Sequence, residues 1–343
     1  MFGFVKHWRV GLLGGLISLL AIYFIVAEID FQLLDEALES ARFIYVLPGV
    51  LFLTAGLVAR AVRWRLLLSN GLPLSRSFHI LNIAYLVNGV LPLRVGELAR
   101  AYLAARAEPA VPVFKSISTV IVERLLDVLT VVLMMTVALA AGPAPRELRA
   151  AGLFFGSVGA VGFLFLLFLA RQRDLAQHLL AFFTRRLHLL QRFNPANWLD
   201  HFLDGLLPLT QARTLAGMLV WTAISWAFSA AAGYTFMYTF YDHADWTVTF
   251  LYIAAASFSI AVPVTMGNLG VYEASIVLVV MALNYGESET QAIAFAVTVH
   301  AAVVGVSVIT GIIGFIAEGI TLGQLSRGVE KVKESEIAQA GEY

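Results

Sequence analysis

Six stretches of this chain, about residues 10–27, 43–62, 116–141, 150–170, 214–241 and 290–317, are apolar over the length needed to cross a bilayer. An α-helix rises about 1.5 Å per residue, so roughly 20 apolar residues span a hydrocarbon core of about 30 Å. Only 13% of the 343 residues are charged, about half the share found in soluble domains. A water-soluble globular fold is therefore excluded. Inside hydrocarbon every backbone N–H and C=O must be satisfied within the protein, and runs of this length do so as helices. The expected fold is an all-α polytopic membrane protein with about six spanning helices.

The chain begins "MFGFVKHWRV", a basic start followed by an apolar run, as in a signal peptide. The run from Val10 to Ala27 is long enough to span, and no small-residue cleavage site precedes Glu28, so a retained first helix is expected. The basic residues sort the loops. Lys6 and Arg9 precede the first span, and the acidic loop 28–42 follows it. Arg60, Arg63, Arg65 and Arg76 fall in the next connection, six arginines in 171–213, and Arg327, Lys331 and Lys333 in the tail. All the basic segments lie on one side when both termini are cytoplasmic. The segment 171–210 alternates apolar and basic groups at helical spacing, which predicts amphipathic helices on the cytoplasmic surface.

Several chemistries drop out. There is no cysteine, hence no disulfide, thiol nucleophile or thiolate metal site. A net charge of zero gives no footing for nucleic acid. Walker A, G-x-S-x-G and H-E-x-x-H are absent, so no cofactor is expected. "YDHADW" (241–246) reads as an ordinary outer loop, and no metal site is expected.

Two shorter apolar pieces, about 78–91 and 247–262, each run into a proline and a glycine. Pro92-x-x-x-Gly96 aligns with Pro263-x-x-x-Gly267, and Leu98 with Leu269, 171 residues on. With three full spans per half, the halves would be inverted repeats, whose broken helices meet near the midplane in many transporters. The first half would be 1–142 with a hairpin at about 78–107, the second 143–318 with a hairpin at about 247–286, and 319–343 a cytoplasmic tail. Loop parity leaves open whether each hairpin is re-entrant or a pair of full crossings. Three charges in the first favour a hairpin buried in protein.

Those charges are Arg94, Glu97 and Arg100, spaced to share one face, after the Gly96 break, of a helix expected to begin near Arg94. They read either as an interfacial helix end with snorkelling arginines or as a cationic pocket that grips phosphate with guanidinium forks. On the next span Glu123 and Asp127 share a face, with Arg124 to one side. Like charges at that spacing repel, so Arg94 or Arg100 is the expected bridge. A purely structural network is an equally open reading. Asn88 is expected to satisfy backbone groups freed by Pro92. In the second half Gly267, Asn268 and Gly270 precede Glu273, and a helix start there would aim N–H groups at an anion. Glu273 is isolated, with His300 as its candidate partner and the two together a candidate proton site.

The motifs "LPLRVGELAR", "ERLLD" and "PVTMGNLGVYE" resemble those of the flippase-like family that matches the transmembrane region of lysylphosphatidylglycerol synthase. The resemblance covers almost the whole chain. It implies a bacterial or archaeal cytoplasmic membrane and movement between leaflets of an aminoacylated or isoprenoid-linked phosphate lipid. Arg94, Glu97, Arg100, Glu123, Arg124, Asp127 and Glu273 would form the site, supported by Gly267 and Gly270. The soluble aminoacyl-transferase domain of the fused synthases has no counterpart here, so a separate lipid-biosynthesis enzyme is an expected partner, and homo-oligomers stay open. Two other classes are carried alongside a flippase or scramblase-like transporter. One is a membrane-embedded enzyme or accessory subunit using Glu123 and Asp127 on a lipid-linked phosphate or sugar. The other is a scaffold whose buried charges only hold helices together.

Overall fold

The computed structural model of the chain describes residues 31–69, 71–90, 94–141, 146–172, 175, 177–178, 210–261 and 268–330. The first span at 10–27, Pro92, Pro263, Gly267, most of the amphipathic stretch 171–210 and the tail beyond 330 lie outside the described residues.

Among the described residues there are helices and no strand. In chain order they are α1 (Phe31–Glu39), α2 (Val46–Leu67), α3 (Leu74–Val90), α4 (Gly96–Ala105), α5 (Val113–Ala141), α6 (Arg146–Arg171), α7 (Ala212–Met237), α8 (Trp246–Ala261), α9 (Val271–Ala282) and α10 (Glu289–Ala317). A last helix, α11, covers 322–330. Phe43–Leu67, Ala212–Met237 and Glu289–Ala317 are long and apolar enough to cross a membrane, and at most 44% of their most apolar windows is buried. The rest turns outward with large apolar side chains, Leu47, Leu51, Leu219, Ile309 and Ile316 among them. Such a surface is at home against hydrocarbon rather than water.

Contacts sort the loops to two ends of the bundle. At one end the Arg42 guanidinium donates to the Tyr241 carbonyl and pairs with Asp242 at 3.4 Å. There too the Tyr285 hydroxyl donates to the His243 carbonyl, and Gln291 Nε2 to that of Phe240 at 2.9 Å. At the other end Arg76 pairs with Glu318 at 3.0 Å. Leu68, Leu72, Ala104 and Val111 share an apolar cluster there with Ile320, Leu325 and Val329, so α11 seals that end. The α3–α4 pair thus starts and finishes at the Arg76 end, and the α8–α9 pair at the Arg42 end. Between them α2, α7 and α10 run from one end to the other.

The principal packing pairs have an internal regularity. Helix α2 lies on α7, α3 on α10, and α8 on α5. Exchange α2 with α7, α3 with α8, α4 with α9 and α5 with α10, and the pairs among these eight helices map onto themselves. Helices α5 and α10 are each 29 residues long, and each residue of one lies 176 before its counterpart in the other.

Arg60, Arg63 and Arg65 are not loop residues as the sequence suggested. They lie inside α2, with Arg63 only 1% exposed. No helix breaker intervenes before the turn ahead of Gly71, so the helix runs on, and buried carboxylates make an arginine tolerable there.

The first hairpin depends on a close approach. A Cβ on Gly96 would collide with the Ala84 carbonyl oxygen and the Asn88 side chain. Gly96→Ala should therefore destabilise the protein by about 1–3 kcal/mol, read as a lower midpoint of thermal unfolding in detergent. An unchanged midpoint would mean that α4 does not sit this tightly on α3.

Candidate functional site

Helix α3 ends at Val90 and α4 starts at Gly96. The first N–H groups of a helix have no partner within it, and Asn88 supplies one: its Oδ1 accepts from the Gly96 amide at 2.8 Å. The group it satisfies is orphaned at the start of α4 rather than freed by Pro92. Arg94, just ahead of α4, has φ +52°. That left-handed conformation costs a residue with a Cβ about 1–2 kcal/mol. Its guanidinium reaches the other hairpin and donates to the Ile260 carbonyl at 2.7 Å, one of the orphan carbonyls at the end of α8. The tips of the two hairpins, entering from opposite ends, therefore touch.

The three charges of the first motif do not share a face. Helix α4 begins at Gly96, two residues later than expected, so Arg94 lies outside it. Arg100 turns inward, 4% exposed, and pairs with Glu123 at 2.6 Å with its guanidinium 4.0 Å from the Trp64 ring centre. Glu97 accepts from Arg124 at 2.8 Å and lies 3.8 Å from Arg94. Helices α4 and α5 are thus laced by two ion pairs of opposite polarity, Glu97–Arg124 and Arg100–Glu123.

The group bridging Glu123 and Asp127 is neither Arg94 nor Arg100 alone. Arg63 holds Asp127 through both guanidinium ends, at 2.7 and 3.2 Å, and lies 3.8 Å from Glu123. Thr222 and Trp226 of α7 complete this cluster. Thr222 accepts from Arg63 at 3.2 Å, and the Trp226 indole donates to Asp127 at 3.1 Å. The sequence offered one clue to Arg63: it follows Arg60 by three residues at the end of an apolar run that no proline or glycine closes.

In the second half the expected Glu273–His300 contact forms, with Nδ1 to Oε1 at 2.6 Å. The other carboxylate oxygen accepts from the Gly270 amide at 2.8 Å. The N-terminus of α9 is thus occupied by the chain's own carboxylate, so the anion expected there has no place at that helix end. Asn268, at φ +55°, and Gly270, at φ +82°, make the turn. This shifts the repeat register. The proline motifs align at 171, but nine residues separate Ala261 from Val271 where five separate Val90 from Gly96. Beyond the break the starts of α4 and α9 lie 175 apart and those of α5 and α10 lie 176 apart; at 176, Glu97 falls on Glu273 and Arg124 on His300. Both carboxylates meet a base 27 residues on.

Between the halves lies a cavity of about 570 Å³, within the range of ligand sites. Arg60, Arg94, Arg124 and Asp127 line it from one side, Asn268 and His300 from the other. Its wall repeats across the halves, since Arg124 and His300, Val128 and Val304, and Val131 and Ser307 all line it, each pair 176 apart. Val128 and Val304 are also exposed and sit at the middle of α5 and α10. At that depth the opening faces the side of the bundle rather than an end. No group of three or more metal-ligating side chains occurs among the described residues.

The class these features define is an all-helical membrane protein with transmembrane helices and an arginine-lined cavity. Residues 11–311 match the model of the family described as "Lysylphosphatidylglycerol synthase TM region". The chain belongs to that family. No curated protein and no solved structure gave a match.

The geometry divides the arginines in two. Removing one partner of a buried ion pair typically costs about 3–5 kcal/mol. Arg63→Ala and Arg100→Ala should lose stability on that scale. Arg124→Ala, whose pair with Glu97 is 41% and 29% exposed, should lose about 1 kcal/mol or less. Thermal unfolding of the three purified variants checks the ranking; equal losses would contradict it.

Proposed function

We propose that this protein moves an anionic, phosphate-containing lipid between leaflets, as a flippase or scramblase-like transporter. The observation that carries this is the cavity between the two hairpin tips, walled by Arg60, Arg94 and Arg124 and open at mid-helix. A charge at the bilayer centre costs on the order of 2.5–3.5 kcal/mol even on lenient scales. Arginines held there are best understood as a receptor for a headgroup, whose guanidinium contacts replace the water it leaves. The acyl or prenyl tails stay in lipid beside Val128 and Val304.

The fold reading that goes with this is an inverted repeat: six spans, with α3–α4 and α8–α9 as re-entrant hairpins from opposite leaflets. The exchange of packing pairs and the shared 176-residue register support it. The basic residues of the remaining loops and tail support a reading with both termini and the Arg76 end cytoplasmic, and the family resemblance supports a bacterial or archaeal membrane. The halves are 1–142 and 143–318, followed by the tail. A transporter is favoured over an enzyme because Glu123 and Asp127, the carboxylates available for acid–base work, are both engaged by arginines. Arg94 and Arg124 touch the headgroup and Glu97 orients them. Arg63, Arg100, Glu123 and Asp127 hold that wall in place. The Glu273–His300 pair is where a proton would be carried.

The test is translocation in proteoliposomes, read by leaflet-specific quenching of lipids labelled on the acyl chain. Arg94→Gln and Arg124→Gln should each slow movement on the order of tenfold or more, with normal folding and insertion. Wild-type rates in both would sink the site assignment, and no movement of any lipid by the folded protein would sink the transport reading. A pH gradient should change the wild-type rate and leave Glu273→Gln insensitive; equal sensitivity in both would remove the proton from that pair.

A further inference from the structure

In the ion cluster that adjoins the cavity, five arginines, Arg60, Arg63, Arg94, Arg100 and Arg124, face three carboxylates, Glu97, Glu123 and Asp127. Arg63 and Arg100 are matched by Asp127 and Glu123. Glu97 is divided between Arg124 and Arg94, which stand close enough to repel one another. Arg60 has no carboxylate at ion-pair distance among the described residues. One of its terminal nitrogens is 3.5 Å from the Ser229 hydroxyl, its Nε is buried with no acceptor, and its guanidinium lies 5.7 Å from the Trp226 ring centre. Five against three leaves two positive charges without a counter-ion, and Arg60, Arg94 and Arg124 all line the cavity.

Resting on the transport reading, we infer that the cavity takes a phosphate monoester or diphosphate on a hydrocarbon tail, with Arg60 as a specificity-determining ligand, and that it rejects aminoacylated phospholipids. A phosphodiester carries one negative charge, whereas a monoester carries about 1.5 to 2 near neutral pH. Only the latter matches two unpaired arginine charges. A lysyl headgroup brings ammonium groups instead. Asp127, the one carboxylate among the described residues that line the cavity, is already held by Arg63 and Trp226. Those ammoniums would face arginines with no free carboxylate to pair with. The tail is called for by the exposed apolar lining, Val90, Val128, Phe258 and Val304, which inorganic phosphate could not use.

Equilibrium binding to the full chain in phosphatidylcholine nanodiscs tests this, with farnesyl monophosphate, inorganic phosphate, phosphatidylglycerol and lysylphosphatidylglycerol as probes. Farnesyl monophosphate should bind about tenfold or more tighter than each of the others. Arg60→Gln should weaken it on the order of 10- to 100-fold, and Arg60→Lys should recover part of the loss. Lysylphosphatidylglycerol binding as tightly as farnesyl monophosphate would overturn the inference, and so would equal binding of inorganic phosphate. A folded Arg60→Gln protein with unchanged affinity would do the same. The probe series on the wild-type chain decides the charge argument even if the variant does not fold. Tight farnesyl monophosphate binding without translocation would keep this site and sink the transport reading. Translocation of phosphatidylglycerol without the binding preference would do the reverse.

Discussion

The bidentate pair between Arg63 and Asp127 is the interaction on which the rest of the first half depends. It ties α2 to α5 in the interior, and Thr222 and Trp226 bring in α7. Through Glu123 it extends to Arg100 and thus to α4. Each of these charges would be intolerable alone in an apolar bundle, so four helices are fixed relative to one another by a requirement no single helix can meet. Directionality matters here. Apolar helices in lipid gain little from burying one another, whereas a guanidinium fork accepts a carboxylate in few orientations. The hydrogen-bonded network sets the register that greasy surfaces leave loose.

With that frame set, the cavity wall follows. Arg124 is the neighbour of Glu123 along α5, so anchoring Glu123 inward turns Arg124 about a third of a turn away, toward the cavity and Glu97. Arg94 is placed by a different device. The left-handed turn before α4 carries its side chain across to the end of α8. The same residue thereby closes the contact between hairpins and contributes charge to the cavity. A ligand competing for its guanidinium would loosen the tip contact, so on the transport reading headgroup binding would bear directly on the hairpins.

Much of this was legible in the sequence, for definite reasons. Long apolar runs announce helices because the bilayer allows little else, and Pro92 and Pro263 announce breaks because proline lacks an N–H. The pairing of Glu273 with His300 was readable because each is isolated in an apolar surround. What could not be read was the identity of bridging partners. Arg63 looked like a loop cation because charge marks the end of a span when no partner is visible, and its partner lies 64 residues away. The expected common face of Arg94, Glu97 and Arg100 failed because helix phase starts after the cap, and the cap is Val95, one residue beyond Arg94. The repeat register slipped for a similar reason: Glu273 folds back on Gly270 and delays the start of α9.

The two halves share a frame but not a chemistry. At the 176-residue spacing Arg100 falls on Ile276, Glu123 on Val299 and Asp127 on Val303, so the ion network has an apolar counterpart in the second half. Only the hairpin clasp is kept in both, as Glu97 with Arg124 and Glu273 with His300. The substitution of histidine for arginine is the informative difference, because a guanidinium stays charged at any physiological pH and an imidazole does not. A frame that is regular in packing thus presents arginines on one side and a carboxylate–imidazole pair on the other. On the transport reading proposed above, the first half would hold an anionic headgroup by fixed charge, and the second half, which lacks the ion network, would not.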